Sequence, residues 1–404
     1  MKFLKKVGLH GRFLYLGIQQ MILMRVFKAI FLCFGMLLFL LVGCATKESI
    51  ESLELERLPL SYAEGFQVEK GEGFWVVTVT QAFPGAKESF SYLILEEESN
   101  SSLDAKGFDA VIQLPVSEVI LTSTTQVPHL DYLGATDLLV GFPNLDLISS
   151  VSTRTRITKG LVKDLGNAPS ANIERVLEIA PDWMMVSTLG EDLSYLGILK
   201  KGGVSAVING EYVEQHPLGR AEWIKFTGVL VGKWDEAVAV FEEIEQRYLK
   251  TLDLLKTQEL SKPTVLSGVM YKDIWYMPGA DSWGARLLAE AGGDYLFQDQ
   301  KGFGSSQLSY EVVLDRGQEA TFWIGAADFP SLQAMGEAEP RYRAFDAWKN
   351  GNIYTYTQKK GETGGLEYFE LGYLRPDLIV KDLMMIFYPE LFPDESMYFY
   401  QKIE

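Results

Sequence analysis

Short apolar runs alternate with amphipathic segments of helical period along most of this chain. The apolar runs predict strands at residues 119–122, 138–141, 183–186, 204–208, 265–269, 321–325 and 353–356. The amphipathic segments predict helices at residues 127–133, 172–180, 195–201, 283–291 and 376–386. Short strands that alternate with short helices are typical of an α/β fold with largely parallel sheets.

One amphipathic segment is much longer than the others. Its apolar residues follow one another at spacings of three and four: Trp234, Ala237, Val238, Phe241, Ile244, Tyr248, Leu252 and Leu255. This period predicts a single helix, which at 1.5 Å per residue spans ~30 Å, the width of a domain. We therefore predict two α/β lobes with central, mostly parallel sheets, joined by a single long α-helix.

Before the first lobe, apolar and polar residues alternate with a period of two. Residues 74–79 and 90–95 follow this pattern on either side of a turn at Pro84-Gly85. The pattern predicts a β-hairpin. The expected domains are an N-terminal lobe at 61–230 that includes this hairpin, a linking helix at 231–258, and a C-terminal lobe at 259–404.

The start of the chain has the features of an export signal. Arg25 and Lys28 precede an apolar run at residues 31–41, which ends in Leu41-Val42-Gly43-Cys44. A membrane-spanning helix is the alternative, but the run is shorter than the ~20 residues that a bilayer requires. The tetrapeptide resembles the lipobox of bacterial lipoproteins, which implies lipid on Cys44. We expect a signal peptide at 1–43, with translation starting at Met1, Met21 or Met24, and a flexible, lipidated tether at 44–60.

Composition excludes several classes of function. The chain has 54 acidic and 37 basic residues, a net charge of −17, which disfavours binding to nucleic acid. Its 2 cysteines, Cys33 and Cys44, fall in the signal and at the lipidation site, so we expect no disulfide in the exported body. With only 3 histidines, a protein-built transition-metal site is not expected either.

A short helical unit occurs once in each predicted lobe. Residues 173–178 and 310–315 both place a glutamate, Glu174 or Glu311, at the start of a predicted helix. A carboxylate there is favoured by the helix dipole, so simple capping is one interpretation.

These units, with other short motifs in the same order, resemble the periplasmic substrate-binding lipoproteins of ABC importers for iron–siderophores, haem or vitamin B12. The resemblance covers residues 114–393 and includes Leu133-Gly134-Ala135, Pro181-Asp182, Pro278-Gly279 and the segment 287–293. It implies that Glu174 and Glu311 dock onto arginines of an importer permease. It also implies a monomeric, non-catalytic protein on the periplasmic face of a bacterial membrane, with no intrinsic cofactor.

The resemblance also implies a ligand cleft between the lobes. The ligand is expected there, at loops that follow the carboxyl ends of strands. Flat side chains suit a flat or bulky ligand, and an arginine can pair with its carboxylate or phosphate. The candidate ligand-binding residues are Phe142, Trp275, Tyr276, Trp283, Tyr368 and Arg375, with Phe369, Tyr373 and the loop 361–365 nearby. The resemblance favours an iron(III)–siderophore, with cobalamin or haem as alternatives. His129 is then either an axial ligand of haem iron or a locally bonded histidine.

A hydrolase and a structural or adhesive lipoprotein are the alternative functions. A hydrolase would need a nucleophile elbow, and the nearest sequence, Gly302-Phe303-Gly304-Ser305-Ser306, lacks the closing glycine. A structural or adhesive lipoprotein would not need a cleft. We therefore expect no enzymatic activity.

Overall fold

The structure, a computed structural model, describes residue 50 and residues 53–96, 103–166, 172–190, 193–256 and 259–404. The predicted signal peptide and Cys44 lie outside the described residues. Within these ranges, no helix is both long enough and apolar enough to cross a membrane.

A five-stranded sheet precedes the first lobe. Its strands pair in chain order: β1 (Glu56–Leu58), β2 (Phe66–Gly71), β3 (Phe74–Val79), β4 (Phe90–Leu95) and β5 (Ala110–Gln113). The β3–β4 pair is the predicted hairpin, and only the β4–β5 pair is parallel. The prediction of a tether at 44–60 is wrong for residues 56–58, because β1 pairs with β2 along its whole length. Three residues are too few for a recognisable alternation.

The first lobe contains a fully parallel sheet in the order β10-β9-β6-β7-β8. Its strands are β6 (Val119–Leu121), β7 (Leu139–Phe142), β8 (Lys163–Asp164), β9 (Trp183–Val186) and β10 (Ser205–Ile208). Its helices are α1 (Val127–Tyr132), α2 (Val151–Thr158), α3 (Ile173–Ile179), α4 (Ser194–Lys201), α5 (Pro217–Glu222) and α6 (Ile224–Leu230).

The long helix is α7 (Trp234–Lys256), as its apolar period predicts. The second lobe follows, with a sheet in the order β14-β11-β16-β17-β18 in which only the β17–β18 pair is antiparallel. These strands are β11 (Thr264–Ser267), β14 (Asp294–Tyr295), β16 (Phe322–Ile324), β17 (Ile353–Thr355) and β18 (Gln401–Lys402). A small antiparallel sheet beside it contains β12 (Val269–Tyr271), β13 (Ile274–Pro278) and β15 (Ser305–Ser309).

The helices of the second lobe are α8 (Trp283–Glu290), α9 (Tyr310–Gly317), α10 (Leu332–Ala338), α11 (Asp346–Lys349), α12 (Glu367–Leu371) and α13 (Pro376–Phe387). Ser282 caps α8 by accepting a hydrogen bond from Ala285 N at 3.2 Å. The predicted strand at 265–269 is shorter than expected. Gly268, at φ 92°, turns the chain out of the main sheet into the small one.

Helix α7 packs against α6 of the first lobe and α13 of the second. Its buried face is formed by four of the residues that define its period: Ala237, Phe241, Ile244 and Tyr248. The two lobes share one continuous apolar core through this helix. The fold therefore agrees with the predicted class of two α/β lobes joined by a long helix.

The lobes also bond to each other directly. The carboxylate of Glu370 in α12 accepts hydrogen bonds from the backbone N–H groups of Ser149 (2.6 Å) and Ser150 (2.7 Å) at the start of α2. The Thr363 hydroxyl donates to the carbonyl of Asp146 at 2.7 Å. One side of the space between the lobes is thus closed by polar contacts.

Candidate ligand-binding cleft

A cavity of about 490 Å³ lies between the lobes. The first lobe contributes Tyr212, in the turn after β10, and Arg220 in α5. The second lobe contributes residues that follow the carboxyl ends of three neighbouring parallel strands: Gly268 after β11, Gly325 after β16 and Tyr356 after β17. This is the edge at which ligands of parallel α/β sheets are expected.

The wall formed by the second lobe is a continuous series of aromatic rings. Trp283 lies 5.3 Å from Tyr373 and 6.0 Å from Tyr368, measured between ring centroids. Tyr356 stacks on Tyr368 at 4.9 Å, with 21° between the planes, and Phe369 lies 5.0 Å from Tyr356. Such a surface can cover a flat or bulky apolar ligand over a large area.

Arg220 is the only charged side chain among the described residues that line this cavity. Its Nε and Nη2 donate to the carbonyls of Glu214 (2.9 Å) and Tyr212 (2.7 Å), which orient the guanidinium. The guanidinium carbon lies 4.2 Å from the ring centroid of Tyr373 and 5.1 Å from that of Trp283. The cleft therefore combines aromatic faces with one oriented cation, a combination suited to an anionic, flat ligand.

Three of the six predicted ligand-binding residues line the cavity: Tyr276, Trp283 and Tyr368. Tyr276 belongs to β13, Trp283 begins α8 and Tyr368 belongs to α12. Of the neighbouring residues that were also predicted, Phe369 and Tyr373 line it too. Burial raises the pKa of Tyr368 well above the ordinary tyrosine value, so its hydroxyl keeps its proton.

The predictions for Trp275 and Phe142 are wrong. Trp275 has no exposed surface and packs against Trp323, with its Nε1 donating to the carbonyl of Ser267 at 2.9 Å. Adjacent residues of a strand point to opposite faces, so Tyr276 faces the cleft and Trp275 faces the core. Phe142 is 1% exposed and belongs to the apolar core of the first lobe.

The prediction that Arg375 pairs with the ligand is also wrong. Its Nε and Nη2 donate to the two carboxylate oxygens of Asp377, each at 2.7 Å, and its Nη1 donates to the Tyr132 hydroxyl at 2.7 Å. Every nitrogen of this guanidinium is used. Arg375 instead links the second lobe to α1 of the first.

His129 is bonded locally. It has no exposed surface, its Nδ1 lies 2.9 Å from the Thr227 hydroxyl, and burial lowers its pKa to about 3. Its Nε2 is 3.7 Å from a carboxylate oxygen of Glu211, whose pKa burial raises to about 7. A side chain enclosed in this way does not reach a ligand in the cleft. Among the described residues, no three His, Cys, Asp or Glu side chains are grouped so as to hold a metal ion.

Glu174 and Glu311 are exposed and lie in the first turns of α3 and α9, one in each lobe. Neither lines the cleft. Hydrogen bonds from its own backbone N–H and from Ser309 lower the pKa of Glu311, so its carboxylate is ionised at neutral pH.

Tyr212, Arg220, Phe303 and Tyr356 line the cavity but were not predicted from the sequence. The position of Tyr356 at the carboxyl end of the predicted strand 353–356 was the available signal for that residue. No local pattern distinguishes the other three from ordinary surface residues.

The second lobe has a larger hollow, of about 970 Å³, beside its C-terminal strand β18. All of its described lining residues belong to that lobe, from Asp328 to Glu404. The smaller cavity is the better ligand site because it lies between the lobes and at the carboxyl ends of parallel strands.

Comparison with known proteins agrees with this architecture. A family model for periplasmic binding proteins matches residues 119–360. An uncharacterized lipoprotein of Methanocaldococcus jannaschii is 28% identical over 301 residues, which cover 72% of this chain and 70% of that protein.

Two solved structures share the fold. One, a possible iron-binding periplasmic protein of Staphylococcus epidermidis, has a TM-score of 0.53 and 21% identity, covering 68% of this chain and 99% of its own. The other, a periplasmic haem-binding protein of Vibrio cholerae, has a TM-score of 0.52 and 16% identity, covering 66% of this chain and 99% of its own. The family match and the shared two-lobed fold show that this chain belongs to the periplasmic binding protein family.

Proposed function

We propose that this protein captures an iron(III)–siderophore in the cleft between its lobes and delivers it to an ABC importer. The aromatic cleft with Arg220 in its wall is the observation that carries the proposal. Ferric catecholate and hydroxamate complexes are both bulky and suit the aromatic wall. The ferric tris-catecholates are also anionic, so they match Arg220 as well. Members of this family are binding proteins and work with importer permeases, so we propose no catalysed reaction.

Cobalamin and haem are the alternative ligands. Both contain a roughly planar macrocycle that is large enough to cover the rings of Trp283, Tyr356 and Tyr368. The enclosed position of His129 disfavours haem held by that histidine. The siderophore is therefore preferred to haem, and the charge of Arg220 favours an anionic ferric complex over uncharged cyanocobalamin.

Delivery to the importer is proposed to use Glu174 and Glu311. Their positions on different lobes would allow a two-point contact with arginines of the permease, and charge pairs of this kind orient a partner. We further propose that lipid on Cys44 anchors the exported protein to the membrane. The M. jannaschii relative is described as a lipoprotein, which supports this part of the proposal.

Tryptophan fluorescence tests the proposed ligand. Trp283 lines the cleft, so a bound coloured complex is expected to quench emission with saturation at micromolar or lower concentration. The panel of compounds to be titrated contains a ferric catecholate, a ferric hydroxamate, cyanocobalamin and haemin. Quenching by none of them would overturn the proposal. Turnover of p-nitrophenyl esters by the purified protein would instead support a lipoprotein hydrolase.

A further inference from the structure

A second cavity, of about 350 Å³, adjoins the central one. Tyr212 and Phe303 line both cavities. The outer wall of the second cavity is the loop between β3 and β4, which contributes Phe83 and Pro84 among other residues. The N-terminal sheet thus extends the space between the lobes.

The loop between β3 and β4 is held firmly against the first lobe. A side chain at Gly210 would place its Cβ 2.2 Å from the carbonyl oxygen of Gln81, so the two backbones are in close contact. Gly190, at φ 88°, leaves room for the Phe83 ring, which a Cβ there would approach to 2.4 Å. Ala82, which follows Gln81 in the same loop, is 1% exposed and belongs to the core. Because the loop already packs against the first lobe, it loses little conformational entropy when a ligand binds.

The lining of the second cavity differs from that of the first in its chemistry. None of its described lining residues is charged; they include two phenylalanines, a proline, a tyrosine and the amide side chains of Gln81 and Gln215. Phe303 is 61% exposed where the two cavities meet. An apolar ring of this exposure gains free energy when an apolar group covers it.

We propose that the loop between β3 and β4 forms a second binding site that holds an uncharged aryl or apolar arm of the ligand. This inference rests on the proposed function, because the rest of that ligand lies in the central cavity near Arg220. The family match begins at residue 119, so the loop lies outside the matched region. The site would therefore add a preference for arm-bearing ligands that the matched lobes do not contribute.

A neutral aromatic dye, N-phenyl-1-naphthylamine, tests the site without any metal complex. The full chain carries Cys44→Ser so that no attached lipid can bind the dye. We expect saturable enhancement of dye fluorescence, with an affinity at least fivefold weaker in the Phe83→Ala/Phe303→Ala double variant. Ile198→Ala is the control, because Ile198 is a 49% exposed apolar residue on α4 that lines neither cavity. Unchanged dye affinity in the double variant, or no saturable signal in the wild type, would overturn the proposal.

A matched pair of ligands tests the specificity. Ferric tris(benzohydroxamate) carries aryl arms that ferric tris(acetohydroxamate) lacks. The wild type is expected to bind the aryl complex at least fivefold more tightly, and Phe83→Ala is expected to remove most of that preference. If the wild type and Phe83→Ala prefer the aryl complex to the same degree, the proposed second site is wrong. If no complex in either panel binds the wild type, the proposed function fails, whereas the dye result still decides the site.

Discussion

At the residue scale, Arg220 and Arg375 differ in what their guanidinium groups can still bind. Arg375 forms a two-point ion pair with Asp377 and also donates to Tyr132. Arg220 donates to two neutral carbonyls and forms no ion pair within 4.0 Å among the described residues. Its guanidinium is therefore oriented and forms no close ion pair, although it attracts the buried Glu211 carboxyl over a longer distance. Such a group can still bind an incoming anion.

Replacing Arg220 by glutamine is expected to weaken binding of an anionic ferric complex by about 10- to 100-fold, equivalent to roughly 1.5–3 kcal/mol for a hydrogen bond to a charged group. Binding of uncharged cyanocobalamin, if it occurs, should change less. Fluorescence titration measures both affinities. Lys349→Gln serves as the control, because Lys349 is exposed on α11 and does not line the cleft. A thermal melt of each variant separates a loss of affinity from a loss of folding. Unchanged affinity for the anionic complex would show that Arg220 does not contact it.

At the element scale, the first turns of α3 and α9 present the two proposed docking carboxylates. Asn172 caps α3 by accepting a hydrogen bond from Arg175 N at 3.2 Å, so the cap does not depend on Glu174. Substitution of Glu174 can therefore change the surface charge while leaving the start of α3 in place. The Glu311 carboxylate accepts hydrogen bonds from its own backbone N–H and from Ser309 at the start of α9, so a thermal melt accompanies its substitution.

The Glu174→Lys/Glu311→Lys double variant is expected to lose ligand-dependent stimulation of the importer's ATPase activity, because like charges would then face the permease. Its ligand affinity, measured by fluorescence, should remain that of the wild type. The matched control is Glu178→Lys/Asp315→Lys, which makes the same charge change at exposed positions further along the same two helices. If both double variants stimulate the importer's ATPase activity as strongly as the wild type does, docking through these glutamates is excluded.

At the scale of the whole molecule, the lobes are joined by more than α7. Glu370 binds the start of α2, Arg375 reaches Tyr132, and Thr363 reaches Asp146. These bonds would have to break if the lobes separated widely. The fold therefore favours small lobe movements when ligand binds.

Small-angle X-ray scattering can measure that movement. We expect the radius of gyration to change by less than about 1 Å between the free and the ligand-bound protein, since the cross-lobe bonds and α7 are retained. A compaction of several ångströms would contradict a stiff connection.

The contact between Glu370 and α2 should also affect stability as a function of pH. Glu370 is 2% exposed, and burial raises its pKa from 4.5 to about 7. Between these values the folded protein keeps a proton that the unfolded chain releases, so this group stabilises the fold as pH falls from about 7 to about 4.5. Glu370→Gln should remove that contribution, which is on the order of 3 kcal/mol at 1.36 kcal/mol per pKa unit.

Urea unfolding gives the free energy of unfolding of both proteins at about pH 5 and about pH 7.5. The change between the two pH values in the wild type, minus the same change in the variant, is the contribution of Glu370. His129 and His216, whose pKa values burial lowers to about 3 and about 4, oppose the trend equally in wild type and variant and so cancel. An identical pH dependence in the two proteins would contradict the assignment to Glu370.

Local patterns predicted most of the elements of the two lobes. The period of α7, the cap of α8 and the β3–β4 hairpin all depend on residues close together in the chain, so they are readable from the sequence. The short edge strand β1 was missed because three residues carry too little pattern.

The sequence by itself determined the fold class and the positions of most helices and strands, because these follow from hydrophobic period and strand order. Only the tertiary structure decided which residues face the cleft. Strand alternation places Trp275 and Tyr276 on opposite sides but does not say which side is the core. The roles of Arg220, Arg375 and Phe83 depend on partners far away in the chain, and local patterning carries no information about such contacts.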